Sequence, residues 1–203
     1  MSDQMFQGYD ATLRLLHERA VECGVSPLIV SGAAVIFHGY ERTTKDRDVL
    51  LSYREADKFG YHLEVHPDWE RLEIRAYAFL CRPTGMSVDF LKGRDLADLG
   101  SPYYFPEPQE LEQAGLIEGL PVIGLHDLLF FKLLAKRLRD QADIMELVKL
   151  HLPKIEPQRI LKRLDPEDEE RRQLFLKILA DAPLELANER RLGQDKSLRN
   201  RPE

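Results

Sequence analysis

The sequence is poor in several features that would assign it quickly to a class. Its two cysteines, Cys23 and Cys81, lie far apart with no Cys-x-x-Cys or Cys/His spacing, so neither a disulfide framework nor a structural zinc site is indicated. No window approaches the roughly 18 apolar residues of a membrane span, and Met1 to Tyr9 lack the apolar stretch of a secretory leader. The expectation is a cytoplasmic protein without membrane association. A basic excess is also missing: 29 Lys and Arg stand against 35 Asp and Glu, a net charge of −6. That balance argues against attachment to nucleic acid by bulk phosphate neutralisation. With 203 residues, 43% hydrophobic and 32% charged, the chain suffices for one domain with a genuine core, or for a core domain plus a small helical appendage.

Hydrophobic periodicity predicts an amphipathic first helix from about Met5 to Cys23, stopped by Gly24. Pro27 to Val30 reads as a buried strand, Ser31-Gly32 as a tight turn, and Ala33 to Phe37 as a short helix ended near Gly39. Asp46 to Leu51 reads as a second strand. Arg71 to Cys81 and Met86 to Leu91 read as two more, joined by the turn Pro83-Thr84-Gly85. A hairpin is expected around Gly119. From Leu125 two packed helices follow, broken near Arg139, with further helices at Pro157 to Leu164 and Pro166 to Leu179. The predicted fold is α/β (α+β): a small mixed sheet flanked by helices in residues 1–124, a helical region in 125–188, and a charged, disordered tail in 189–203.

The chemistry lies in the acids. Asp46 and Asp48 sit two residues apart on one strand, so period two puts both carboxylates on one face, and Asp89 lies on another strand. Such a set holds two divalent cations about 3.5–4 Å apart. Without a cation, mutual repulsion and desolvation would force one of the acids to take up a proton, whereas Mg²⁺ accepts hard oxygen ligands and leaves them ionised. The small residues Ser31 and Gly32 let backbone amides approach phosphate oxygens.

The stretch from Val30 to Asp48, with its small-residue turn and Arg42-Thr43-Thr44-Lys45-Asp46-Arg47-Asp48, resembles the first motif of the nucleotidyltransferase (polymerase beta-like) superfamily. More narrowly it is similar to the AbiEii/AbiGii-type toxin nucleotidyltransferase group. Asp89, within Ser87-Val88-Asp89-Phe90-Leu91, matches the third carboxylate, and Asp127 to Lys132, Arg137, Asp140 and Asp143 resemble polar positions on that group's downstream helices. The resemblance covers roughly Leu28 to Leu150. It implies an Mg²⁺-dependent enzyme with a two-ion site on Asp46, Asp48 and Asp89, the last also a candidate base. It further implies nucleotide or phosphate contact by Ser31, Gly32, Arg42, Thr44 and Lys132. The implied reaction moves a nucleoside monophosphate from an NTP to an acceptor hydroxyl on RNA, protein or a small molecule such as an aminoglycoside. A toxin of this kind would have a cognate antitoxin.

Two positions depart from the group. Ser31 stands where it usually has a glycine, and Arg47 separates the acids where an apolar residue is usual. These departures leave a rival open: a domain that binds nucleotide or a partner and has lost turnover. Taken alone, Lys132, Arg137 and Asp143 read as a solvated helix face, Phe130 and Phe131 as core, and His38, His126 and His151 as structural or surface residues.

Overall fold

The computed structural model describes residues 10–73, 77–97 and 102–199. Seven strands form one mixed sheet in the order β3-β4-β5-β2-β1-β7-β6. They are β1 (Leu28–Val30), β2 (Asp46–Leu51), β3 (Trp69–Arg71), β4 (Ala78–Cys81), β5 (Met86–Lys92), β6 (Gln113–Ile117) and β7 (Leu120–Ile123). β1 runs antiparallel to β2 and parallel to β7, and β2 runs parallel to β5. The helices are α1 (Ala11–Cys23), α2 (Ser31–Phe37), α3 (Tyr53–Glu64), α4 (Leu125–Ala135), α5 (Leu138–His151), α6 (Pro157–Leu161) and α7 (Glu169–Arg199). Among the described residues, no helix is long and apolar enough to cross a membrane.

Alternation along the central strands sorts the two faces. On β2, Arg47, Val49 and Leu51 point toward α1 and α3, and on β5 Val88, Phe90 and Lys92 do the same. Arg47 pairs with Asp10 at the start of α1, Phe90 stacks on Phe59 of α3 with ring centroids 5.5 Å apart, and Lys92 reaches Asp57 of α3. Asp46, Asp48, Ser87, Asp89 and Leu91 therefore face the other way, toward α4.

Local signals account for the helix boundaries. Asp10 caps α1 by accepting from the Leu13 amide at 3.1 Å, and Gly24 ends it with φ of 66°, a left-handed conformation that glycine adopts without steric cost. The expected start at Met5 falls in residues 1–9, outside the described residues. α3 was not foreseen in the pattern, yet Ser52 caps it and exchanges hydrogen bonds with Glu55, while Ala56, Phe59 and Leu63 form its buried stripe. The expected strand from Arg71 to Cys81 is instead β3 and β4, an antiparallel pair, with residues 74–76 outside the described set. The hairpin at Gly119 is β6 and β7.

α4 is apolar almost all round because it packs against α2 as well as against α5, α6 and α7. It ends at Lys136, φ 54°, so the break between the two helices comes before Arg139. α7 starts at Glu169, and the backbone stays helical through Arg199, where a disordered tail from Glu189 was expected. The helix is anchored by Lys149 of α5, which pairs with Glu146 on its own helix and with Glu185 and Glu189 of α7.

Candidate active site

The sheet register brings the three predicted acids together. Asp48 of β2 lies beside Asp89 of β5 in the parallel ladder, and Asp46 lies beside Ser87, whose hydroxyl donates to the Asp46 carboxylate at 2.8 Å. On the other side of β2, Asp48 pairs with Val30, the residue before Ser31. Asp46, Asp48, Asp89, Ser31, Gly32, Arg42, Thr44 and Lys132 thus share the wall of one cavity of about 610 Å³.

Asp48 is held at an electrostatic cost. Burial pushes its carboxyl above the usual aspartate value of 3.8, and the neighbouring Asp89 charge pushes it the same way, with a smaller push from Asp46. The Ser31 hydroxyl donates to it, and that bond together with the Lys132 charge pulls in the opposite direction. Ser31 has φ of 56°, in the left-handed region where a side chain is strained. A glycine would sit there freely, which accounts for the residue usual at this position. The serine trades backbone ease for a hydroxyl on Asp48.

Gly32 is fixed by a close approach. A Cβ at this position would lie 2.5 Å from Oγ1 of Thr44 and 3.3 Å from a guanidinium nitrogen of Arg42. The segment entering β2 therefore packs directly on the turn leaving β1. Thr44 also donates to the Asp46 carbonyl at 3.2 Å, which ties that segment to the first acid.

The roof is a buried charge network rather than the solvated helix face that Lys132 and Asp143 suggested. The Lys132 ammonium, 4% exposed, reaches Asp140 at 2.8 Å and Asp143 at 2.7 Å, and both acids are 1% exposed. Arg42 holds Asp143 through two nitrogens, at 2.8 and 3.0 Å, and Arg137 holds Asp140 at 2.6 Å. Burial would raise the pKa of Asp140, but its hydrogen bonds to Arg137 and Lys132 outweigh it and hold the carboxyl below its ordinary value. Arg137 itself is exposed, as read from the sequence.

Arg47 is likewise accommodated. It points to the far face, pairs with Asp10 at 2.5 Å and donates to the carbonyls of Thr44 and Asp46. The departure braces the Asp46 segment from behind instead of intruding on the cavity. The histidines are structural: His38 bonds the Ile123 carbonyl, His151 bonds the His38 carbonyl, and His126 accepts from the Glu156 amide.

Several lining residues were not foreseen as site residues. Leu91, Ala97, Phe105 and Arg139 also line the cavity. Phe131, read as core, is buried and also reaches the cavity. The hard oxygens of Asp46, Asp48 and Asp89 suit Mg²⁺, and the raised Asp48 carboxyl is what a cation at this site would relieve. Among the described residues, the tightest group of three acids lies elsewhere: Glu146, Glu185 and Glu189 have ligand atoms within 4.8 Å of one another. Lys149 already pairs with all three of these glutamates. The three aspartates need no such mutual closeness, because ligands of a two-ion site spread around ions about 3.5–4 Å apart.

An antigenic nucleotidyltransferase-like protein from Paracoccidioides brasiliensis superposes with a TM-score of 0.59 at 17% identity, over 85% of this chain and 88% of that one. The fold is nucleotidyltransferase-like. A looser match, TM-score 0.41 at 11% identity over 89% of this chain and 95% of the other, is ANT(2″)-Ia in complex with adenylyl-2″-tobramycin. No known family profile matches the sequence, and no curated protein does.

Proposed function

We propose that this protein is a Mg²⁺-dependent nucleotidyltransferase, moving a nucleoside monophosphate from an NTP to an acceptor hydroxyl. The observation that carries the reading is the convergence of Asp46, Asp48 and Asp89 on a cavity whose other walls are the Ser31-Gly32 turn and a row of cations. Bound Mg²⁺, held by the three aspartates, would supply charge neutralisation for the transferring phosphoryl group. The remaining work belongs to the chain. The Ser31-Gly32 backbone lies close against incoming phosphates because Gly32 has no side chain to interpose, and Arg42 and Lys132 add positive charge beside it. Asp89 accepts the proton of the attacking hydroxyl. Thr44, Ser87 and Arg47 fix the Asp46 segment.

In this reading residues 1–124 form the catalytic core, and residues 125–188 close the cleft through Lys132, Asp140 and Asp143. The toxin-type grouping and an antitoxin partner belong to the same proposal. Their test is growth arrest on expression, abolished by Asp46→Ala/Asp48→Ala and relieved by the product of an adjacent gene.

The direct test is titration of the protein with each NTP, with and without Mg²⁺, beside the folded Asp46→Ala/Asp48→Ala variant. Metal-dependent binding by the wild type, lost in the variant, is the expected result. A folded wild type that binds no NTP would overturn the reading, while binding unaffected by the double substitution would favour the rival module without turnover.

A further inference from the structure

We infer that the outer face of α7 is a self-association surface, on which a second copy of this chain lays its own α7 antiparallel. This stands apart from the nucleotidyl-transfer reading, since among the described residues none of α7 lines the cavity. A helix docked on a domain normally turns charge to the side away from its core. α7 does not. Its inner stripe, Phe175, Ile178 and Ala182, is buried, and the helix packs on α5 and α4. At 3.6 residues per turn, Leu176, Ala180, Pro183, Leu184 and Ala187 fall within an arc of about 100° on nearly the opposite side. All five are exposed, Leu176 by 43% and Leu184 by 65%. Lys177 and Arg190 fall just outside the arc, so no charge enters the stripe between Leu176 and Ala187. Three turns of apolar surface thus face away from the core that the helix already has.

The ends of the stripe select its occupant and the direction of pairing. Glu169 and Arg191 are exposed on the same arc, one before the apolar residues and one after them. Two α7 helices laid parallel would set Glu169 beside Glu169 and Arg191 beside Arg191. An antiparallel pair with its two-fold axis at Ala180 reverses this. Leu176 and Leu184 each lie four residues from Ala180, and Glu169 and Arg191 each lie eleven. Leu176 therefore meets the partner's Leu184, Glu169 meets the partner's Arg191, and Ala180 meets its own copy. A single rotation makes the stripe complementary to itself in both packing and charge, as an isologous contact requires. The small Ala180 at the crossing lets the helix axes come within about 8 Å, the near end of the usual range.

The contact is limited in size. At 1.5 Å per residue the stripe is about 16 Å long, and one helix laid along it buries less than the roughly 1,200 Å² at which standard interfaces begin. A dissociation constant of about 1–100 µM is expected instead of a nanomolar one.

Sedimentation equilibrium of the full chain from about 0.5 to 500 µM, a span chosen to bracket that constant, tests the inference. The wild type should show a monomer–dimer equilibrium. Leu184→Glu, at an exposed position that the monomer does not need, should weaken it at least about tenfold with an unchanged circular dichroism spectrum. Glu169→Arg and Arg191→Glu should each weaken it about two- to thirtyfold, because an exposed ion pair is lost twice in a symmetric dimer. Combining the two exchanges the charges and should recover most of the loss. Ala180→Cys reads the register. With axes about 8–10 Å apart and Cα atoms about 2.3 Å from each axis, facing Cα atoms lie about 3–5 Å apart, which overlaps the range of a disulfide. Mild oxidation should therefore join two copies of that variant, beyond any cross-linking of the wild type through Cys23 and Cys81. A protein monomeric over the whole range overturns the inference, and so does a dimer that Leu184→Glu leaves intact, which would place the contact elsewhere. Charge exchange without recovery, or Ala180→Cys without added cross-link, would overturn the antiparallel pairing.

Discussion

Replacing Lys132 with methionine tests whether the buried roof network holds the helical region over the sheet. Methionine matches the aliphatic stem, so the change removes a charge with little loss of volume. At an effective dielectric constant of 20, each ammonium–carboxylate contact near 2.8 Å is worth about 6 kcal/mol before desolvation. Burying the ammonium cancels much of that gain. What the variant leaves behind decides the outcome: Asp140 and Asp143, each 1% exposed, keep only Arg137 and Arg42 as charged partners. Removing one partner from a buried ion network costs about 3–5 kcal/mol, a fall in Tm of roughly 10 °C for a chain of this size. Urea denaturation at pH 7 measures the loss as a shift in midpoint at unchanged slope. The pH dependence supplies a check of sign. Asp140 has its pKa lowered by folding, so its contribution is present above 3.8 and is lost as pH falls through the lower folded value. The gap between wild type and variant should therefore hold from pH 7 down to about 3.8 and shrink below it. A gap below about 1 kcal/mol at pH 7, the range of an exposed ion pair, or one that does not narrow in acid, would refute the reasoning.

Four further outcomes follow from the site. Ser31→Gly should be about 1 kcal/mol more stable than Ser31→Ala in thermal unfolding, because only glycine relieves the positive φ and both lose the hydroxyl on Asp48. Gly32→Ala should destabilise by about 1–3 kcal/mol in urea, since its Cβ would collide with Thr44. Arg47→Leu should lower stability by about 1 kcal/mol, as read by thermal unfolding, and weaken Mg²⁺ response through the loosened Asp46 segment. Asp48→Asn should stabilise the metal-free protein by about 0.5–2 kcal/mol at pH 7. The raised Asp48 pKa means its ionised form costs stability above the folded value, and the cost vanishes below 3.8. Thermal unfolding with Mg²⁺ should then raise the wild-type Tm and leave the variant's unchanged.

What was legible in the sequence had local causes. β2 was readable because Asp46-Arg47-Asp48 alternates and then runs into Val49, Leu50 and Leu51, which are fully buried. The pairing of Asp48 with Asp89 was not readable, since parallel register between β2 and β5 is set by long-range packing. α3 was legible but passed over: Ser52-x-x-Glu55 is a capping signature, and Ala56, Phe59 and Leu63 keep helical spacing. Lys132 carried a signal too, as a cation within the apolar run from Leu128 to Leu134. Charged residues default to solvent in sequence reasoning, and only the tertiary partners Asp140 and Asp143 reverse that default. Phe105 and the partnership of Arg47 with Asp10, 37 positions apart, left no local trace.

Two unfavourable features fall at the same point in the fold: a left-handed serine and a buried, ionisable Asp48 bonded to it. Neither serves the hydrophobic core, because Val30 and Val49 beside them are already fully buried and a glycine and an asparagine would satisfy the backbone at lower cost. Such local costs persist only where surrounding structure over-determines the conformation. Here that structure is identifiable. Thr44 packs on Gly32, Arg42 ties the same segment to Asp143 on α5, and Lys132 links Asp143 to Asp140. The chain of contacts runs from the turn after β1 to the helices above the sheet without passing through apolar packing. The helical region therefore does more than cover the sheet, since its buried charges set the position of the segment that delivers Asp46 and Asp48. Lys132→Met and Ser31→Gly should consequently fail additivity when combined, since the two side chains, on different helices of the cavity wall, both act on Asp48.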